Sequence, residues 1–281
     1  MARRTLAALM ALAAASIAPG QERPVLTPDD AMIERVPFNP PPVPTAAEQT
    51  KIISAARGIA LSYTANLPNF VCSERITRFV APPGATRWIS HDTQTMEVSY
   101  SNKKGESYRL VAINDKPTNK KIDKTGGFHS RGEFGSLLAA TFHPDSQTHF
   151  FWERWTTIRN RFAYVFSYRI DTPHSTYSVD LRDGKKRYSG TTGVKGLIYI
   201  DRESNQVLRL TAEADDLPRS WPNLRTPSIL DYDFVEIGGQ RYLLPKTVDS
   251  KVLMPGESGR NLMEFRNYQK FGAEVTLTFE K

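Results

Sequence analysis

The chain has 281 residues, 40% hydrophobic and 24% charged, with 37 Lys and Arg against 30 Asp and Glu for a net charge of +7. That composition is globular and excludes a wholly disordered or collagen-like chain. The single Cys excludes an intramolecular disulfide and a Cys-rich zinc site, and no apolar run reaches the roughly 18 residues of a membrane-spanning helix.

Residues 1–20 read as a signal peptide. Arg3 and Arg4 form the basic start, Leu6 to Ala18 is an Ala/Leu-rich run too short to cross a bilayer, and Ala18-Pro19-Gly20 offers a cleavage site before Gln21. The expected location is therefore periplasmic or secreted. Loss of the leader removes two arginines and no acid, which lowers the net charge to +5. So small an excess on an exported chain argues against nucleic acid as a partner.

Residues 21–44 form a proline-rich tether, with Pro24, Pro28, Pro37, Pro40, Pro41, Pro42 and Pro44. Proline fixes φ and removes a donor, so the segment is expected to be extended. Residues 45–281 are expected to form a single β-rich domain. Thr45 and Glu48 have capping-box spacing, and Ile52, Ile53, Ala56, Ile59, Ala60 and Tyr63 recur on one helical face as far as Asn66-Leu67-Pro68. A second, short helix is expected after Gly126-Gly127. Its cap is the Ser130/Glu133 pair, its apolar face Phe134, Leu137, Leu138 and Phe142, and its stop His143-Pro144.

The remainder alternates with a period of two. Phe162, Tyr164, Phe166 and Tyr168 alternate with Arg161, Ala163, Val165 and Ser167. Similar alternation runs through Tyr177–Leu181, Leu208–Ala212, Leu230–Phe234 and Val275–Phe279. This is the pattern of antiparallel strands with one wet face. Turn residues separate the runs at Asp115-Lys116-Pro117, Asp183-Gly184, Gly238-Gly239 and Pro255-Gly256. The fold class that results is α+β. A large curved antiparallel sheet of about ten strands, an unclosed half-barrel, carries a long N-terminal helix and a short mid-chain helix on its concave side.

Motifs that carry chemistry are absent: no HExxH, no P-loop, no GxGxxG after a strand and no GxSxG. His143 and His149 are separated by Pro144 and read as turn histidines, so neither a metal nor another cofactor is expected. Cys72 reads as a small buried hydrophobe. Asp231 and Asp233 share one strand face, and a secreted hydrolase acting through such carboxylates is one alternative. An outer-membrane β-barrel is another. Lysines at the turns, among them Lys116, Lys120, Lys121 and Lys124, suit peripheral contact with an anionic membrane surface.

The feature that points most directly to function is the aromatic stripe. Phe162, Tyr164, Phe166 and Tyr168, joined by Tyr232 and Phe234, are expected to face Ile59, Phe134 and Leu138 across a hydrophobic cavity. The segment Gly196-Leu197-Ile198-Tyr199-Ile200-Asp201 running into Val207-Leu208-Arg209-Leu210, with Leu230–Phe234 and Leu243-Leu244-Pro245 after it, resembles the LolA/LolB-like lipoprotein-carrier superfamily. The resemblance covers mainly residues 193–281. Elsewhere, Pro68–Cys72 and Gly132–Gly135 resemble segments of secreted bacterial proteins. What the resemblance implies is an unclosed barrel whose concave side receives acyl chains or another hydrophobic ligand, with no catalytic residue carried over. The expected function is an exported, non-enzymatic protein that holds a lipid-like ligand.

Overall fold

The computed structural model describes residues 39–271 apart from 86, 102, 130–132, 184 and 185. The leader, the tether as far as Phe38, Ser130 and the strand expected at Val275–Phe279 lie outside the described residues.

Helix α1 (Ala46–Asn66) begins at the expected capping box. The Thr45 hydroxyl accepts from the Glu48 amide, and the Glu48 carboxylate accepts from the Thr45 amide at 2.7 Å. These bonds satisfy donors that a first helical turn leaves open. The helix ends as Leu67 turns extended ahead of Pro68. Its buried stripe is Ile52, Ala56, Ala60 and Tyr63, and the two alanines let it approach closely what it covers.

The strands are β1 (Phe70–Ala81), β2 (Ile89–Ser101), β3 (Gly105–Ile113), β4 (Lys116–Pro117), β5 (His149–Ile158), β6 (Arg161–Ile170), β7 (Ser178–Asp183), β8 (Lys186–Thr191), β9 (Gly193–Asp201), β10 (Val207–Asp215), β11 (Ser228–Ile237), β12 (Gln240–Val252) and β13 (Ser258–Lys270). Eleven of them form one antiparallel sheet in the order β4-β3-β2-β1-β13-β12-β11-β10-β9-β6-β5. The sheet is unclosed, with β4 and β5 at its edges. Register shifts in β1, β2, β5, β10 and β11 bend and twist it. Gly238-Gly239, at φ 60° and 78°, makes the β11–β12 hairpin turn as expected. The turn expected at Asp115-Lys116-Pro117 falls one residue earlier, at Asn114-Asp115 with φ 49° and 59°, which leaves Lys116-Pro117 as a short edge strand. A lysine and a proline there blunt the edge.

Between β6 and β9, which pair directly, the chain leaves the sheet and folds as the separate β7–β8 hairpin. Alternation alone does not distinguish a strand of the large sheet from one of a side hairpin.

Helix α2 (Ser136–Phe142) starts later than the Ser130/Glu133 spacing predicts. Gly135 sits at φ +120°, and a Cβ there would lie 2.6 Å from the Tyr63 ring. The chain therefore turns sharply against α1 before it can become helical. Phe134, just ahead of that turn, is fully buried against Phe70 and Phe265 at ring distances of 5.5 and 5.2 Å.

Candidate ligand-binding cleft and an acidic cavity

The residues expected to line a cavity fall into three groups. Phe166, Tyr168, Tyr232, Phe134 and Leu138 are buried in the main core, none more than 3% exposed. The Tyr168 hydroxyl donates to the Thr211 carbonyl at 2.8 Å, and the Tyr232 hydroxyl to the Glu133 carbonyl at 3.3 Å. Phe162 and Tyr164 sit towards the β5 edge with Trp155, at ring distances of 6.4 and 4.6 Å. Phe234 is half-buried under the Arg241 guanidinium at 4.2 Å, and Ile59 is half-buried on the flank of α1. None of the nine lines either of the two open volumes described next.

The larger volume is a cleft of about 1050 Å³. It exists because the β7–β8 excursion stands off from the sheet and α2 faces it. Leu137, Ala140, Ile170, Val179, Val194 and Val252 supply apolar wall, and His129, His143 and His174 lie on the rim or lining. Behind Val179 and Val252 a small separate core, with Ala214 and Leu224, fixes the hairpin in place. Among the described residues no cluster of three His, Cys, Asp or Glu is arranged to hold a metal ion.

The smaller volume is a cavity of about 280 Å³ lined by Glu74, Glu106, Tyr108, Asn261 and Met263 among others. Alternation along β1 places Phe70, Cys72, Glu74, Ile76 and Arg78 on its inner face. Burial, and then the negative charges of Glu133 and Glu106, push Glu74 up to about 8. Burial and Glu74 in turn push the Cys72 thiol up to about 12. Cys72 is thus a neutral thiol at physiological pH, which is the wrong state for a nucleophile. The Tyr108 hydroxyl donates to Glu106 at 2.8 Å. Over the cavity lies the segment from Ile122 to His129, tied down by Arg78 to the Gly126 carbonyl at 2.6 Å and by Asn261 to the Phe128 carbonyl at 2.9 Å. His129 lines both volumes.

The carboxylates considered for hydrolysis are committed elsewhere. Arg209 holds Asp231 through bonds of 2.9 and 2.8 Å, and Lys246 holds Asp233 at 2.6 Å. Arg159 lies 3.7 and 3.6 Å from the two carboxylates. Burial works to raise Asp233, but Lys246, the Phe234 amide and Arg159 outweigh it and hold the carboxyl below its usual range. A general acid needs the opposite shift. Nor does the described sheet close, as a membrane-spanning barrel must.

The Gly196–Asp201 segment also has a structural explanation. A Cβ at Gly196 would lie 2.1 Å from the Thr211 carbonyl oxygen, so only glycine fits. Asp201 is fully buried and accepts from Arg161 at 2.9 and 2.7 Å and from the Ser204 amide at 2.8 Å. It thereby locks the β9–β10 turn.

No family model and no curated protein matches the chain. Solved structures do resemble it. A LolA superfamily protein from Nitrosomonas europaea is 12% identical at a TM-score of 0.41, over 79% of this chain and 93% of that one. A domain described as an outer-membrane lipoprotein-sorting protein, from Vibrio parahaemolyticus, is 10% identical at 0.41, over 80% and 93%. A DUF1329 family protein from Desulfovibrio piger is 10% identical at 0.39, over 80% and 95%. The first of these carries the superfamily name that the Gly196–Leu210 hairpin resembles. All three lie below a TM-score of 0.5, and none fixes a function.

Proposed function

We propose that this is an exported, non-enzymatic binding protein that holds a lipid-like or other hydrophobic ligand. The observation that carries the reading is the cleft of about 1050 Å³ between α2 and the β7–β8 hairpin, with its apolar wall. Concave, mostly apolar volumes of this order are where small ligands bind. The driving term is apolar burial, on the order of 25 cal/mol per Å² before ordering costs. In this reading the buried aromatics Phe166, Tyr168, Tyr232 and Phe134 act as a rigid wall behind the cleft, with Leu138 anchoring α2 to that wall. Phe162, Tyr164, Phe234 and Ile59 lie outside the cleft lining.

The signal peptide supports a periplasmic or secreted location. Lys116, Lys120, Lys121 and Lys124 are all exposed near the β4 edge, which supports peripheral contact with anionic headgroups.

A fluorescent fatty-acid probe titrated into the mature chain tests the reading. Ala140 lines the cleft, so Ala140→Trp should fill it and weaken binding by tenfold or more without loss of fold. Leu138→Trp would instead overpack the core. Failure of any acyl probe to bind at micromolar protein contradicts the proposal.

A further inference from the structure

The end of the proline-rich tether is held against the domain in a regular way. Pro40 to Pro44 belong to no helix or strand, and polyproline II likewise has no internal hydrogen bonds. Side chains hold two carbonyls of the run instead. The Trp155 indole donates to Pro42 at 3.2 Å, and the Gln49 amide donates to Pro44 at 2.8 Å. Burial along the run has a period of three: Pro44 is buried and Pro41 half-buried, while Asn39, Pro40, Pro42 and Val43 are exposed. Polyproline II has three residues per turn, so Pro41 and Pro44 share the face turned to the domain. One turn upstream, the next position on that face is Phe38.

The domain has rings to meet that face. Trp155 belongs to an aromatic group on β5 and β6, with Tyr164 at 4.6 Å, Trp152 at 5.6 Å and Phe162 at 6.4 Å. Trp155 is buried, and Trp152 and Tyr164 are half-buried. Phe162 is 37% exposed, the only aromatic ring among the exposed large hydrophobics of the described residues. None of the four lines the cleft between α2 and the β7–β8 hairpin.

We infer that this aromatic group is a polyproline-recognition surface whose occupant is the chain's own tether, with Phe38 seated on the open side of Phe162. Aromatic grooves take up polyproline II segments because the segment is already extended and loses little entropy on docking. The reach of the chain fits. Phe38 lies four residues upstream of Pro42, about 12 Å at roughly 3.1 Å per residue. Phe162 is 6.4 Å from Trp155, and a further ring packed on it adds about 4.5–7 Å. A second copy's tether has the same chemistry, but Pro42 of this chain already occupies Trp155, and α1 begins only a few residues later. The segment upstream of Pro42 therefore reaches Phe162 without any association. The inference stands apart from the apolar-ligand reading of the larger cleft.

Limited trypsin digestion of the chain starting at Gln21 tests this. Arg35 is the tryptic site of the tether, because Arg23 precedes Pro24 and the segment has no Lys. Release of the 21–35 fragment is followed by mass spectrometry, with a synthetic peptide of residues 21–44 giving the undocked rate. Cleavage of a docked segment tracks the population of its open form. The expected result is cleavage at least tenfold slower in the chain than in the peptide. Phe38→Ser and Phe162→Ser should each bring the rate to within about threefold of the matching peptide, and the double variant should add nothing further. Should Phe162→Ser fail to fold, Phe38→Ser decides, because it lies outside the domain. Protection of less than tenfold, or protection that survives Phe38→Ser, overturns the inference. So does protection that grows across a hundredfold range of protein concentration, which would assign the surface to a second copy's tether.

Discussion

Arg78 donates two hydrogen bonds of 2.6 Å to Asp92 across the β1–β2 pair, and its remaining nitrogen reaches the Gly126 carbonyl. One guanidinium thus joins two strands to the loop that covers the acidic cavity. Arg78 is buried and Asp92 partly buried, at 6% and 13% side-chain exposure. Removing one partner of such a pair strands the other charge, at a cost of roughly 3–5 kcal/mol. Arg78→Ala should lose stability of that order in urea unfolding and speed hydrogen exchange across residues 122–128. A loss well under about 1 kcal/mol would show that the pair contributes little.

The same pair sets an acid limit. The Arg78 hydrogen bond, against burial, holds Asp92 below the usual carboxylate range. A depressed carboxyl contributes stability above its unfolded pKa of about 3.9 and loses it as pH falls through the folded value. Urea midpoints should therefore drop below about pH 4, and Asp92→Asn should remove that part of the drop.

Glu74 acts in a separate window and with the opposite sign. Its folded pKa of about 8 lies above the unfolded value, which is about 4.3. Between those values the folded chain binds the extra proton, so stability falls as pH rises, by up to about 1.4 kcal/mol per unit. Above 8 that contribution is gone. Glu74→Gln should flatten the slope between pH 5 and 8, as read by unfolding at fixed temperature.

Gly135 is where α2 docks on α1. A Cβ there meets both the strained φ of +120° and the Tyr63 ring at 2.6 Å. Gly135→Ala should cost about 3 kcal/mol, and Gly58→Ala, whose Cβ meets open space within α1, should cost nothing or stabilise slightly. Thermal unfolding of the two variants gives the comparison.

The end of the tether is tied to the β5 edge, where the Trp155 indole donates to the Pro42 carbonyl at 3.2 Å. A mature chain starting at Thr45 should expose Trp155 and red-shift its fluorescence. Trp155→Phe in both backgrounds isolates that signal.

How much of this was legible in the sequence follows from the range of the interactions. The α1 cap is a contact over three residues, and both its partners appear together in the chain. Alternation marks β1, where it also carries the inward charge of Glu74 within Cys72-Ser73-Glu74-Arg75-Ile76, but β6, β9 and β10 are buried on both faces over most of their length, so the wet face expected of them is absent. The late start of α2 depends on Tyr63, some seventy residues away, and no local pattern encodes it. The two volumes are equally non-local, because Glu74, Glu106 and Asn261 meet only in the folded sheet. Alternation places Phe166 and Tyr168 on an inner face, but it does not distinguish a wall packed by helices from one facing open space.

The central claim is tested most directly by locating a bound ligand. A photoactivatable fatty acid cross-linked to the mature chain, followed by peptide mapping, should label residues 137–140 and 177–181 around the cleft. Label confined to the β5 edge or scattered over the surface, or no label at saturating probe, would contradict the account.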